Sequence, residues 1–382
     1  MRTVYLDNAA TTYPKPNEVI TTVSKCVTDY AASPRRGSNS LTRLADEQLS
    51  LARNTVASYL GARPEQIVFV PGATYGVNIA MQGLDYVSGD SVYVSPFEHN
   101  AVMRTAEHLR QTKGVQLRNL PVDRFCHLDI SAAEQAFAAH PPKLVAIVHA
   151  SNVSGDILPI KEVTDLAHQY RGKVLVDAAQ TVGLHTPKLS DYEYDFLVFS
   201  SHKGLHGIAG AGGLLIKDMP PSLIEPLIYG GTGMNSEDLL MPTRLPERFE
   251  VGTHSLPAIV SMVAGIRWLE SIPVECVLKR IRNLQRQLIY GLSRLGISIL
   301  GQNSQHGNIG VVSFNIPGFD PEEANRVLDA EGFCVRSGLH CAPAAHKTLG
   351  TFPRGTIRVS PGYFNTEADI AEFLRVIESM CV

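Results

Sequence analysis

Apolar positions along the chain follow two periods. Leu41, Leu44, Ala45, Ala52, Val56 and Leu60 fall at helical spacing, and Gly61 supplies a stop signal. Then come the short runs QIVFV (66–70), SVYVS (91–95), KLVAIVHA (143–150), KVLVDAA (173–179), DFLVFSS (195–201) and GGLLIK (212–217). They are β-branched, apolar at both odd and even positions, and mostly separated by helix-length segments. A strand that is apolar on both faces must be covered on both faces, so the order predicts an α/β domain with a mostly parallel sheet between helices.

After Leu256 the pattern changes. Helical patterns at 257–271 and 274–295 lead into ISIL, GVVSFNI, a helix from Pro321 to Glu331, FCVRSG, TIRVS and a final helix. This predicts a smaller C-terminal α/β domain with a more antiparallel sheet. The expected division is a large domain over 15–256 and a small one built from 1–14 and 257–382. Such a division suits 382 residues, too many for one ordinary core.

Composition narrows the function classes. A formal net charge of −3 gives no electrostatic reason to bind nucleic acid or an anionic membrane. The basic cluster Lys279, Arg280, Arg282 and Arg286 lies on a predicted helix and reads as a solvated face. The N-terminus MRTVYLDNAATTYPKP has no apolar core of a secretory signal, and the longest apolar run, near Lys143–Ala150, fits a buried strand. The expected location is therefore cytoplasmic, where thiols stay reduced. Cys26, Cys126, Cys276, Cys334, Cys341 and Cys381 contain no CxxC pair, so neither a disulfide framework nor a Cys-rich zinc site is indicated. Most of them read as small core residues.

In a sheet of this type ligands collect beyond the carboxyl ends of the strands. Three such ends carry polar residues. After QIVFV, Gly72 and Thr74 precede a helix predicted over Tyr75–Leu84, whose N-terminal N–H groups suit a phosphate; an ordinary strand-to-helix turn uses the same residues. Asp177 ends KVLVD with Gln180 three residues on; a protonated ring nitrogen would be a fitting partner, and a helix N-cap is the simpler alternative. Ser200, His202 and Lys203 close DFLVFSSHKG. An ammonium leaving an apolar strand end loses solvation, which favours the free amine, whereas a surface loop lysine would not. A phosphate cradle, an acid for a ring nitrogen and an imine-forming amine together are what pyridoxal 5'-phosphate (PLP) requires.

The motifs YLDNAATT, GATYGVN, EHN, HASNVSG, VDAAQ, SSHKG, RFEVGT, RSGLHCA and RVS run nearly end to end in one order. In this the chain resembles the cysteine desulfurase family, class V aminotransferases among the fold type I PLP enzymes. That resemblance implies a large domain with a mostly parallel sheet of roughly seven strands and a smaller C-terminal domain. It implies Lys203 as the Schiff-base lysine, Asp177 on the pyridine nitrogen, Gln180 on the phenolic oxygen and His99 stacked on the ring. Ala73, Thr74, Ser200 and His202 would hold the phosphate, Asn152 would lie near cofactor and substrate, and Arg358 would grip the substrate carboxylate. Thr253 would reach the phosphate of a neighbouring subunit, which implies a homodimer. Cys341 matches the catalytic cysteine, and the short RxGxHCA form is similar to the branch of SUF-type desulfurases and selenocysteine lyases. Arg336 and His340 are expected to favour its thiolate.

The implied reaction converts L-cysteine to L-alanine and leaves a persulfide on Cys341 for a sulfur-acceptor protein, in sulfur metabolism and iron–sulfur cluster assembly. Selenocysteine lyase, cystine C–S lyase and a true aminotransferase are alternatives with the same cofactor. A non-catalytic protein on the same fold is an alternative of another class. At Cys341 itself, a zinc site with His340 and His346, or a buried structural thiol, competes with the catalytic role. Two departures from the family pattern stand out. Asn39 occupies a place where many members carry His, and Ile208 one where Pro is common.

Overall fold

The computed structural model describes all residues except 1, 187–190, 235–236, 273, 302–304 and 382. Strand Val4–Tyr5 (β1) precedes helices Asn17–Asp29 (α1) and Ser40–Leu60 (α2). Strands and helices then alternate through Ile67–Val70 (β2), Ala73–Gln82 (α3), Ser91–Val94 (β3), Asn100–Lys113 (α4) and Gln116–Asn119 (β4). Ile130–Ala139 (α5), Pro142–Val148 (β5), Ile160–Gln169 (α6), Lys173–Asp177 (β6), Phe196–Ser200 (β7) and Gly212–Ile216 (β8) continue the series. Helices Leu256–Ser271 (α7) and Val274–Arg294 (α8) lead to Ile299–Leu300 (β9), Val312–Phe314 (β10), Pro321–Ala330 (α9), Phe333–Cys334 (β11) and Arg336–Gly338 (β12). Pro343–Thr348 (α10), Thr356–Val359 (β13) and Glu367–Met380 (α11) end the chain.

Seven strands form one sheet in the order β2-β8-β7-β6-β5-β3-β4. Only β8 runs against its neighbours β2 and β7. Its two faces explain the doubly apolar runs. Ile67, Phe69, Val145, Ile147, Val174, Val176, Leu197 and Phe199 point into one core, shared with α2 and α7. Their alternating partners Val68, Val70, Leu144, Ala146, Leu175, Phe196 and Val198 point into a second, under α3 and α4. A four-stranded antiparallel sheet, β12-β13-β10-β9, and the parallel pair β1-β11 build the C-terminal region. A third core gathers Leu284, Leu288, Phe314, Val359 and Phe373 there.

Several expectations are corrected. The strand β4 was not foreseen because QLRN is half polar; it is the sheet edge, where one flank faces water. In α2 the buried stripe is Ala45, Leu49, Ala52, Val56 and Leu60, while Leu41 is exposed, and Gly61 adopts the left-handed cap. Helix α3 starts at Ala73 with Gly72 as its N-cap, so Thr74 lies inside the first turn rather than before it. Of the six cysteines, all free, Cys26 alone is fully buried, and Cys276 and Cys381 are exposed. Arg280 is not idle on the surface of α8: it donates to the Tyr363 and Asn365 carbonyls, as Arg282 does to that of Asn308. No helix among the described residues is long and apolar enough to cross a membrane.

Candidate active site

Close backbone approaches bring the strand ends together. A Cβ on Gly76 would stand 2.7 Å from Val198 Cγ1, so α3 lies directly on β7. Gly183, at φ +100°, has its Cα so near Gly204 that a Cβ would fall 2.2 Å from the Gly204 carbonyl carbon. The segment after Asp177 is thus pressed against the one after Lys203.

Beyond these ends lies a cavity of about 240 Å³. Ala73, Thr74, Ser200 and His202, His99, Asp177 and Gln180, and Asn152, Lys203 and Arg358 are all among the residues that line it, as are Arg336 and His340. The Ala73 N–H donates to Ser200 Oγ at 3.2 Å, tying the helix start to β7. Asp177 is 4% exposed; its Oδ1 accepts the Ala179 N–H at 3.0 Å, and it joins no ion pair among the described residues. A turn follows it, so the N-cap alternative does not describe its place. Gln180 donates to the Ala9 carbonyl at 3.0 Å.

Burial lowers Lys203 from 10.5 to about 8, against the Asp177 carboxylate, which holds the charge on; Arg358 and Arg336 push it further down. The free amine is therefore far more accessible near neutral pH than for a solvated lysine, though the ammonium still predominates. Burial also lowers His99, whose Nδ1 accepts the Ala101 N–H at 3.0 Å, leaving the proton of the neutral ring on Nε2. His202 is held down to about 4, by burial first and then by Lys203 and Lys15. Arg358 is 1% exposed. Its Nη2 pairs with Asp7 at 2.6 Å and its Nη1 donates to the Asn152 carbonyl at 3.0 Å, while Nε has no partner. Asn152 donates to the His340 carbonyl at 2.7 Å and leaves Oδ1 unpartnered. A buried polar atom without a partner is costly, and here three lining residues carry one: Asn152, Arg358 and, at Nδ1, His340. A buried acid in no ion pair, an amine whose ammonium is disfavoured, a helix N-terminus and these three atoms fit a phosphorylated, ring-nitrogen-bearing aldehyde.

Cys341 is not among the lining residues, but its Sγ accepts from Arg336 Nη2 at 3.2 Å, and Arg336 lines the cavity. His340 and Cys341 have φ of 49° and 59°, and the Ala342 N–H returns to the Leu339 carbonyl at 2.8 Å. Two consecutive positive φ values in one turn are uncommon outside glycine and asparagine, and strain of this kind concentrates at functional sites. The turn is clamped from the start of α4 and the loop after β5: Asn100 N–H donates to the Cys341 carbonyl at 2.7 Å, and Asn152 holds that of His340. One expectation fails here. His340 is driven down to about 2, by burial first and then by Arg358, so it is neutral and supplies no positive charge to the thiol; Arg336 alone is the cationic neighbour bonded to it. His340 Nε2 meets Thr356 Oγ1 and His346 Nδ1 meets Thr351 Oγ1; among the described residues no group of three His, Cys, Asp or Glu is placed to hold a metal.

Thr253 lies elsewhere. It is exposed and lines a separate cleft with Tyr75, Ile228 and His254. Asn39, where the family often has His, caps α2 by accepting the Thr42 N–H. Asp7, the counter-ion of Arg358, was missed by sequence reasoning. It sits within YLDNAATT, but its partner is 351 residues away and no local signal couples them.

Fold and site together define a class: the chain belongs to the class-V aminotransferase family, whose model matches residues 4–373. Within it the chain falls in the cysteine desulfurase family. It is 32% identical to a probable cysteine desulfurase of Pyrococcus abyssi, over 99% of this chain and 94% of that one. It is 34% identical to another of Methanothermobacter thermautotrophicus, over 96% and 92%. The solved apo structure of the cysteine desulfurase from Thermococcus onnurineus NA1 superposes with a TM-score of 0.92 at 32% identity, covering 99% of this chain and 94% of that one.

Proposed function

We propose that this protein is a PLP-dependent cysteine desulfurase that forms L-alanine and a persulfide on Cys341. The observation that carries the reading is the conjunction of Lys203, its ammonium disfavoured by desolvation, with a buried Asp177 in one cavity, and a Cys341 thiol bonded to Arg336, which lines that cavity. PLP, when bound, would withdraw electrons from the α-carbon of the substrate. Lys203 would carry it, Asp177 face its ring nitrogen, Gln180 its phenolic oxygen and His99 its ring face. Ala73, Thr74, Ser200 and His202 would hold the phosphate. Arg358, with an open Nε and a guanidinium already oriented by Asp7, binds the substrate carboxylate. The free Lys203 amine takes the α-proton. The Cys341 thiolate then attacks the substrate sulfur: an S–S bond forms as the C–S bond breaks, and the bonding pair stays on carbon, which leaves as alanine after protonation.

The reading includes a division into a large domain (15–256) and a small one (1–14 and 257–382), although α7, at the start of the second stretch, packs in the core of the large sheet with α2. It also includes a homodimer. Thr253 lies outside its own chain's cavity, on a segment beside Tyr75, Leu227 and Ile228, apolar side chains open to solvent. A sulfur-acceptor protein, supply of sulfur to iron–sulfur cluster assembly and a cytoplasmic location follow as parts of the same proposal. The test is incubation with L-cysteine, assay of alanine, and mass spectrometry of the Cys341 peptide for one added sulfur. Cys341→Ala is expected to lose the adduct and nearly all turnover. Sulfur release by Cys341→Ala at the wild-type rate without reductant would overturn the persulfide route. Comparison of cysteine with selenocysteine and cystine as substrates separates the desulfurase from its two lyase alternatives.

A further inference from the structure

Directly before His99 stands Glu98, a fully buried acid with no assigned task. Its Oε1 accepts two hydrogen bonds, from Ser95 Oγ at 2.5 Å and from the Val148 N–H at 2.6 Å. Ser95 follows β3 and Val148 ends β5, so one oxygen joins the carboxyl ends of neighbouring strands. Val148 in turn lies in register with Asp177 on β6, and the next N–H, of His149, donates to the Asp177 carbonyl at 2.9 Å. Glu98 therefore links the backbone that presents His99 to the backbone that presents Asp177 and, four residues beyond Val148, Asn152.

Among the described residues its second oxygen has no partner and no cation is paired with it. The titratable groups facing this region are Asp177 from β6 and, on its own segment, His99. A buried carboxylate beside a second carboxylate, with one oxygen bare, is an expensive charge; the protonated acid is not. Burial, then the charge of Asp177, raise Glu98 to about 8, against the opposing effect of its hydrogen bonds. With Glu98 neutral, Asp177 remains the one acid among the described residues that line the cavity.

We propose that Glu98 is a positioning residue that locks His99 and the β5 end beneath the cavity, and that it does so as an uncharged carboxylic acid. The kinetic consequence rests on the desulfurase reading; the protonation state does not. Two measurements on the full-length protein test it. Infrared difference spectroscopy at neutral pH is expected to show the C=O band of a buried protonated carboxyl, lost in Glu98→Gln. In cysteine turnover, Glu98→Gln, which keeps a neutral acceptor for Ser95 and Val148, should stay within about threefold of wild type. Glu98→Ala should lower kcat about tenfold or more with little change in KM, the size expected when a buried hydrogen-bonded anchor is removed. If Glu98→Ala does not fold, Ser95→Ala, which removes one of the two donors, should lower kcat in the same sense by a smaller factor. A band unaltered by Glu98→Gln, or Glu98→Gln as impaired as Glu98→Ala, would overturn the proposal. A wild-type protein inert toward cysteine that still shows the Glu98 band would instead count against the desulfurase reading.

Discussion

At the scale of single residues, the site works by withholding solvent from chosen charges. Lys203 is the clearest case. Burial disfavours its ammonium, and Asp177 only partly restores it, which leaves the group near 8. The sign of the pH dependence follows, since only the free amine can add to an aldehyde. The rate at which cofactor-free protein takes up PLP should rise with pH and level off above about 8, falling about tenfold per unit well below that value. Stopped-flow absorbance of the bound cofactor measures it. A plateau reached only near 10 would mean that the amine is solvated and that the cavity does not act on it. Arg358 illustrates the converse: its charge survives near-complete burial because Asp7 and the Asn152 carbonyl satisfy two of its nitrogens, leaving Nε for a ligand.

At the scale of elements, precision comes from backbone contact. Helix α3 can present its first turn to the cavity because Gly76 lets it settle on β7. Helix propensity alone would make Gly76→Ala stabilising by about 1 kcal/mol. The added Cβ would instead meet Val198 Cγ1 at 2.7 Å, and overpacking of this kind costs about 1–3 kcal/mol. The expected outcome is a net loss of about 1 kcal/mol in urea unfolding, together with weaker PLP retention as the helix start lifts from Ser200. A gain in stability would show that the contact yields freely. Much at this scale was legible in the chain. The doubly apolar runs of β2, β3, β5, β6, β7 and β8 announce a covered sheet, and the polar residues closing them mark where a ligand gathers. What was not legible depends on distance or on missing contrast: Asp7 meets Arg358 across the fold, β4 has too few apolar residues to register, and the neutrality of His340 is a product of packing. The strain at His340 and Cys341 was likewise invisible, because nothing in RSGLHCA marks two left-handed residues.

At the scale of the whole molecule, the proposed phosphate-binding residues divide between the cavity and a separate cleft. Ala73, Ser200, His202 and Thr74 line the cavity, while Thr253 stands in the cleft. The segment that carries Thr253 is nonetheless built to hold position. Glu250, fully buried, takes Arg53 through both carboxylate oxygens at 2.7 and 2.8 Å, His254 at 3.2 Å and Arg35 at 3.3 Å, as well as the Phe69 N–H. So much buried charge spent on an exposed segment is hard to reconcile with an idle loop, and it suits one that presents a hydroxyl to a second copy. That arrangement makes a prediction about mixed subunits. Thr253→Ala homodimers should retain PLP poorly, and Lys203→Ala homodimers should be inactive. In a heterodimer of the two, the subunit with an intact Lys203 borrows an intact Thr253 from its partner, so one complete site is rebuilt. Mixing and reassembling the inactive and impaired proteins should then restore roughly a quarter of wild-type turnover, since about half the dimers are mixed and each has one good site. If Thr253 served its own chain, no mixed dimer would contain a complete site, and activity would stay at the average of the two parents.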